Sequence, residues 1–138
     1  MWRFSNFQPC QIQVDDIIYP TLEHAYQAMK TFDTKDRQRI ANMPTPGQAK
    51  RLGRTLKNIR PDWENEKIGI MLHLLEDKFS REPFRTLLLK ERGQIVEVTT
   101  WHDTFWGICI CPEHDSSGEN WLGQLLEVLR DRIEGGFL

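Results

Sequence analysis

The spacing of apolar residues changes several times along this chain, and each change predicts an element. Gln11 to Asp15 alternates polar and apolar positions, Asp15-Asp16 follows, and Ile17-Ile18-Tyr19 resumes in β-branched character. That is the pattern of a β-hairpin. Pro20 is expected to stop the second strand, and Thr21 to cap a helix that runs to Lys30. At about 100° per residue, Leu22, Ala25, Ala28, Met29 and Phe32 gather on one side of this helix, with Glu23, Tyr26, Gln27 and Lys30 on the other. Taken alone, such a polar face is ordinarily solvated surface.

Two short helices are predicted next, with Thr34 capping Lys35 to Ala41, and Thr45 with Pro46 starting Gly47 to Arg54. Pro61 favours the start of a long helix from about Asp62 to Ser80, where Ile68, Met71, Leu72, Leu75 and Phe79 recur at helical spacing as a core stripe. Pro83 opens a helix carrying Phe84, Leu87 and Leu88, which Gly93 ends. Gln94 to Thr99 reads as a strand, Trp101 to Gly107 as an aromatic loop, and Gly118 to Arg130 as a last amphipathic helix with Asn120 at its N-cap. Trp63 and Phe79 are assigned to the core, His24 to a structural role, and Gly107 and Gly123 to places of close backbone approach. The fold class is α+β: one mainly helical domain over residues 1–138, with a small antiparallel or mixed sheet.

Composition narrows this little. With 138 residues, 39% of them hydrophobic, 28% charged and five Trp, the chain is long and apolar enough for a core and is not disordered. No stretch nears the ~20 apolar residues of a membrane span and no leader-like run opens the chain, so no membrane partner and a cytoplasmic location are expected. Three cysteines make no disulfide framework. Cys109, Cys111, His114 and His102 are the residue types of a Cys2His2 metal site, but their spacing departs from the usual one, in which ligand pairs are two to four residues apart. The expectation is therefore no metal, no cofactor, and reduced, partly buried thiols.

Charge is uneven. From Lys30 to Arg60 nine basic side chains face only Asp33 and Asp36, a balance of +7, so a chain of net charge −2 carries −9 elsewhere. This segment is either a set of solvated helix faces or a wall that receives phosphate.

Five separated stretches then acquire meaning together: Phe4-Ser5-Asn6-Phe7, Tyr19 to Lys30, Lys78-Phe79, Asp103-Thr104-Phe105-Trp106-Gly107, and Gly118-Glu119-Asn120-Trp121-Leu122-Gly123. In this order they resemble the NADAR (NAD and ADP-ribose associated) domain family, also called YbiA-like, from Phe4 to Arg132. The resemblance departs at the start. Only Met1, Trp2 and Arg3 precede Phe4, where many relatives have a further strand, so the sheet is expected to lack an edge strand.

The resemblance implies an N-glycosidase that breaks a ribose C1–N bond. The substrate it points to is ADP-ribosylated guanine in nucleic acid or nucleotides, with ADP-ribose as product. Phosphorylated riboflavin-pathway intermediates are the alternative, and a non-catalytic ADP-ribose or NAD reader is a third. Oligomeric state is left open. Such cleavage develops positive charge at C1 and calls for a carboxylate and a proton route to the leaving nitrogen. Glu23 and Asp103 match the acidic positions of the family motifs. Glu23 sits near a helix N-terminus, where the dipole favours negative charge, whereas Asp103 is either an acid of the site or a cap for its own loop. The resemblance further implies that Lys30 forms a Schiff base with the C1 aldehyde of a ring-opened ribose. Its amine must then be neutral, through burial or a neighbouring cation such as Arg37. Ser5, Asn6, Phe7, Tyr26, Gln27, Arg37, Trp106, Gly107 and Asn120 are the expected substrate-binding residues: aromatics for stacking, amides for hydroxyls, Arg37 for charge.

Overall fold

A computed structural model describes residues 2–138, so Met1 lies outside it. It is mainly helical, with six helices and two short two-stranded sheets. Two compact units share the chain, residues 3–78 and residues 79–138, Trp2 grouping with the second. No helix among the described residues is long and apolar enough to cross a membrane.

The first unit opens on the hairpin, β1 (Pro9–Val14) and β2 (Ile17–Thr21), antiparallel with Ile12 opposite Tyr19 and Val14 opposite Ile17. Cys10, Ile12, Tyr19 and Thr21 point inward as the alternation predicts. Asp15 makes the turn at φ +53°, a conformation that a short polar side chain tolerates. Pro20 does not stop β2, contrary to the sequence expectation. The strand runs through it to Thr21, on a two-stranded ladder whose outer side asks for no donor.

Thr21 caps α1 (Leu22–Ala28) by accepting the His24 N–H at 3.1 Å. The helix ends two residues earlier than expected, so Lys30 lies in the following turn, its N–H on the Gln27 carbonyl at 3.2 Å. Every residue of α1 is buried, including the polar side. Phe32, expected on the packed side, is instead 63% exposed beneath the Arg60 guanidinium, 4.4 Å from the ring centroid.

Asp33, not Thr34, caps α2 (Thr34–Ala41), its carboxylate accepting from the N–H groups of Lys35 and Asp36. Both residues are good caps, and a carboxylate gains more from the helix dipole. Thr45 and Pro46 start α3 (Pro46–Arg54) as predicted. The last helix of this region, α4 (Trp63–Phe79), buries Trp63, Met71, Leu74, Leu75 and Phe79.

In the second unit α5 (Phe84–Lys90) ends on Glu91, and Gly93 bends the chain only later, at φ +82°. Of the predicted strand only β3 (Val98–Thr99) forms, parallel to β4 (Ile108–Cys109). The rest of Gln94 to Glu97 runs beside the start of α6 (Trp121–Glu134), held by the Asn120 side chain and by the Ile108 N–H, which donates to the Glu97 carbonyl at 2.7 Å. On α6, Leu122, Leu125, Leu126, Leu129 and Ile133 form the buried stripe, each contributing roughly 1.5–3 kcal/mol by burial.

Candidate functional site

The first unit gathers its polar residues around α1. Glu23 is only 6% exposed. Its backbone N–H donates to the Asn6 carbonyl at 3.1 Å, which ties the helix to the Phe4 to Phe7 stretch. Its Oε1 accepts from Gln27 Nε2 at 3.1 Å, one helical turn on. Two buried amide oxygens, Gln27 Oε1 and Asn6 Oδ1, have no hydrogen-bond partner among the described residues. An acceptor left without a partner costs about 1–3 kcal/mol, so each oxygen is a place for a bound donor. The amide of Gln27 has room only because residue 53 is Gly, where a Cβ would lie 2.0 Å from Oε1.

Lys30 is half-buried at the end of the same face. Burial is the main reason its pKa is lowered; Glu23 opposes the shift, and Arg54, Lys50 and Lys67 add to it. A lysine among three other cations gives up its proton more readily than one in water. The Arg60 N–H donates to the Lys30 carbonyl at 2.7 Å, so the backbone beneath the amine is fixed.

Arg37 does not serve as the neighbouring cation expected for Lys30. Its Nε donates to the Thr31 carbonyl at 2.7 Å and its Nη1 to Asp15 Oδ2 at 3.2 Å, so it clamps the hairpin turn to the loop after α1. Lys50 and Arg54, one turn apart on α3, fill that place. Their i, i+4 spacing was legible in the sequence, but nothing local tied it to Lys30.

Tyr26 is buried against Trp63, ring centroids 5.1 Å apart. Phe7 and Ser5 are half-buried, and Ser5 Oγ accepts the Phe7 N–H at 3.1 Å. His24 is structural in its contacts. The Met43 carbonyl only accepts, so Nε2 carries the proton at 2.9 Å, and Nδ1 accepts from the Thr21 hydroxyl at 2.7 Å. Burial lowers its pKa, in keeping with a neutral ring.

Lys78 was quoted in the sequence only as part of a motif, and the structure gives it a task. Fully buried, it donates from Nζ to the Ser5 carbonyl at 2.9 Å and so anchors the turn that carries Asn6. Burial pushes its pKa down to about 8 from an ordinary 10.5. Between these values the folded protein has shed a proton that the unfolded chain still holds, so stability rises with pH across the window. Below about pH 8 the folded state carries the whole cost of the buried ammonium. Urea titrations from pH 7 to 10 should show this rise, on the order of 3 kcal/mol, and Lys78→Met should flatten it.

The second unit holds the other expected residues. Asp103 Oδ1 accepts from the N–H groups of Phe105 at 3.0 Å and Trp106 at 2.9 Å, the loop-capping arrangement. Trp106 is half-buried and meets Phe105 edge to face at 4.8 Å. Gly107 and Gly123 are close approaches: a Cβ would lie 2.5 Å from the Glu97 carbonyl oxygen in the first and 2.0 Å from that of Ile95 in the second. Asn120 precedes α6 at φ +53° but does not cap it with its side chain. Its amide instead donates to the Ile95 carbonyl at 2.9 Å and accepts the Glu97 N–H at 3.0 Å, so it fastens the segment that leads into β3.

Comparison with known proteins agrees with the motif order. The chain is 36% identical to N-glycosidase YbiA of Escherichia coli (strain K12), over 94% of this chain and 80% of that protein. It is 36% identical to the maize (Zea mays) riboflavin biosynthesis protein PYRR, chloroplastic, over 96% of this chain, and spans only 23% of that longer protein. The NMR structure of E. coli YbiA superposes with a TM-score of 0.79 at 35% identity, covering 96% of this chain and 78% of that one. The NADAR domain model matches residues 2–134, and the chain belongs to the NADAR domain family.

Proposed function

We propose that this protein is an N-glycosidase that removes ADP-ribose from ADP-ribosylated guanine in nucleic acid or nucleotides, with Lys30 as nucleophile and Glu23 as proton carrier. The observation that carries the reading is the pairing of a buried carboxylate with a half-buried lysine whose pKa is lowered, both on α1 and its following turn. Asp103 commits one oxygen to its own loop, so Glu23 is assigned the proton work. Opening of the ribose ring leaves C1 doubly bonded to the guanine nitrogen. The neutral Lys30 amine adds to C1, the C1–N bond to guanine breaks, and the departing nitrogen takes a proton by way of Glu23. Water then adds to the Lys30 imine, releasing ADP-ribose as the aldehyde and restoring the amine. The sum is substrate plus water giving guanine and ADP-ribose. Lys50 and Arg54 supply positive charge for the pyrophosphate, whereas Lys67 is paired with Glu64 at 2.5 Å.

Incubation with an ADP-ribosylated guanine oligonucleotide should release ADP-ribose; no release by folded protein across DNA, RNA and nucleotide forms would exclude this substrate. The second reading, hydrolysis of phosphorylated riboflavin-pathway intermediates, is favoured by the name of the maize relative. The same assay on those small phosphates separates the two.

The cations around Lys30 predict a pH effect. Activity should rise with pH through the lowered Lys30 pKa. Arg54→Gln removes a charge that lowers this pKa, so the rise should move to higher pH. A profile of kcat/KM against pH checks the direction separately from any loss of phosphate affinity, which would scale the whole curve.

A further inference from the structure

We propose that His102, Cys109, Cys111 and His114 form a closed tetrahedral zinc site that staples the ends of the Asp103 to Gly107 loop. Spacing along the sequence counts against such a site, since a single residue separates the cysteines. Tertiary structure brings the four together all the same. β4 presents Cys109, its N–H held by the Ser117 carbonyl at 2.9 Å. The turn between Cys111 and Ser117 folds His114 back over Cys111, and a left-handed bend at His102 brings that ring in from the other side.

The four ligand atoms all lie within 4.8 Å of one another. Cys111 Sγ is 3.0 Å from His114 Nδ1 and 3.3 Å from His102 Nδ1, and the two Nδ1 atoms are 3.4 Å apart. A tetrahedron built on metal–sulfur bonds of about 2.3 Å and metal–nitrogen bonds of about 2.0–2.1 Å has edges of roughly 3.3–3.8 Å. The cluster is therefore close to the required size.

The chemistry points the same way. Both imidazoles turn the same nitrogen, Nδ1, toward Cys111 Sγ, and thiolate sulfur and neutral imidazole nitrogen are the lone pairs that zinc takes. Two sulfurs and two imidazole nitrogens in tetrahedral array suit zinc, whereas magnesium and calcium require oxygen. With four protein ligands the site has no open position for catalysis and is structural. His102 is exposed, with Cys111 and His114 half-buried, which leaves an entry path.

An ion also offsets local costs. His102, Asp115 and Ser116 hold φ values of +68°, +47° and +61° without being glycine, conformations that side chains adopt at a cost. The two strands here are only two residues long, so few regular hydrogen bonds hold the segment. A metal serves such a region as a disulfide serves a small secreted domain.

The test is Co(II) titration of the reduced full chain after chelation, followed by Zn(II) displacement. One equivalent of cobalt should bind, with the visible bands of tetrahedral Co(II) and a thiolate-to-cobalt charge-transfer band. Stoichiometric Zn(II) should abolish both, and native mass spectrometry should show one zinc bound with two protons released. Cys111→Ser should weaken zinc binding by more than the roughly 100-fold that loss of an outer hydrogen-bond partner costs, and should diminish the charge-transfer band. An octahedral cobalt spectrum without charge transfer, no stoichiometric uptake, or an unchanged spectrum in Cys111→Ser would overturn the proposal. The wild-type spectrum decides the matter even if the variant does not fold.

Discussion

Lys30→Ala should lower turnover of an ADP-ribosylated guanine oligonucleotide by roughly 10³-fold or more, with folding intact. Loss of the nucleophile closes the covalent route, and three decades in rate correspond to about 4 kcal/mol of barrier. The variant keeps the backbone that accepts the Arg60 N–H. It also removes an amine that burial and three cations already disfavour as an ammonium, so stability should hold or rise. Borohydride added during wild-type turnover should reduce the imine and leave one ADP-ribosyl group on the protein, mapped by peptide mass to Lys30. Full activity in Lys30→Ala, or turnover that borohydride never traps, would remove Lys30 from the chemistry.

The second large effect is expected for Glu23→Gln, a substitution that preserves shape and an oxygen able to accept from Gln27. Loss of the proton carrier should reduce kcat by about 10²–10⁴-fold. The pH profile makes this specific. Glu23 holds the Lys30 pKa up, so its neutralisation should move the rise of the remaining activity to lower pH, opposite to Arg54→Gln. A residue that merely packed the core would cost stability and KM without these opposed movements. Circular dichroism and urea unfolding alongside the kinetics keep the two cases apart.

Much of the architecture could be read before any coordinates because its determinants are local. The Thr45-Pro46 start of α3, the Thr21 cap of α1 and the alternation across Asp15-Asp16 each depend on residues within a few positions of one another. Where the local signals were ambiguous, the stronger local interaction decided in one place and tertiary context in another. Asp33 displaced its neighbour Thr34 as cap of α2. The β-branched run Gln94 to Thr99 forms a strand only at its last two residues, and Asn120 side-chain bonds hold Ile95 and Glu97 before them.

The candidate site divides in the same way. The sequence by itself determined that Glu23, Gln27 and Lys30 follow one another at roughly helical spacing, that a basic segment comes after them, and that five motifs stand in NADAR order. It could not determine that this polar face is buried, because any amphipathic helix shows the same period whether its polar side meets water or protein. Only the tertiary structure placed Lys50, Arg54 and Lys67 around Lys30 and engaged Arg37 elsewhere. Only it set His102, Cys109, Cys111 and His114 around one point despite their spacing. Burial and charge–charge effects act through space over several ångströms between residues distant in the chain, so periodicity and capping, which act within a turn or two, carry no record of them.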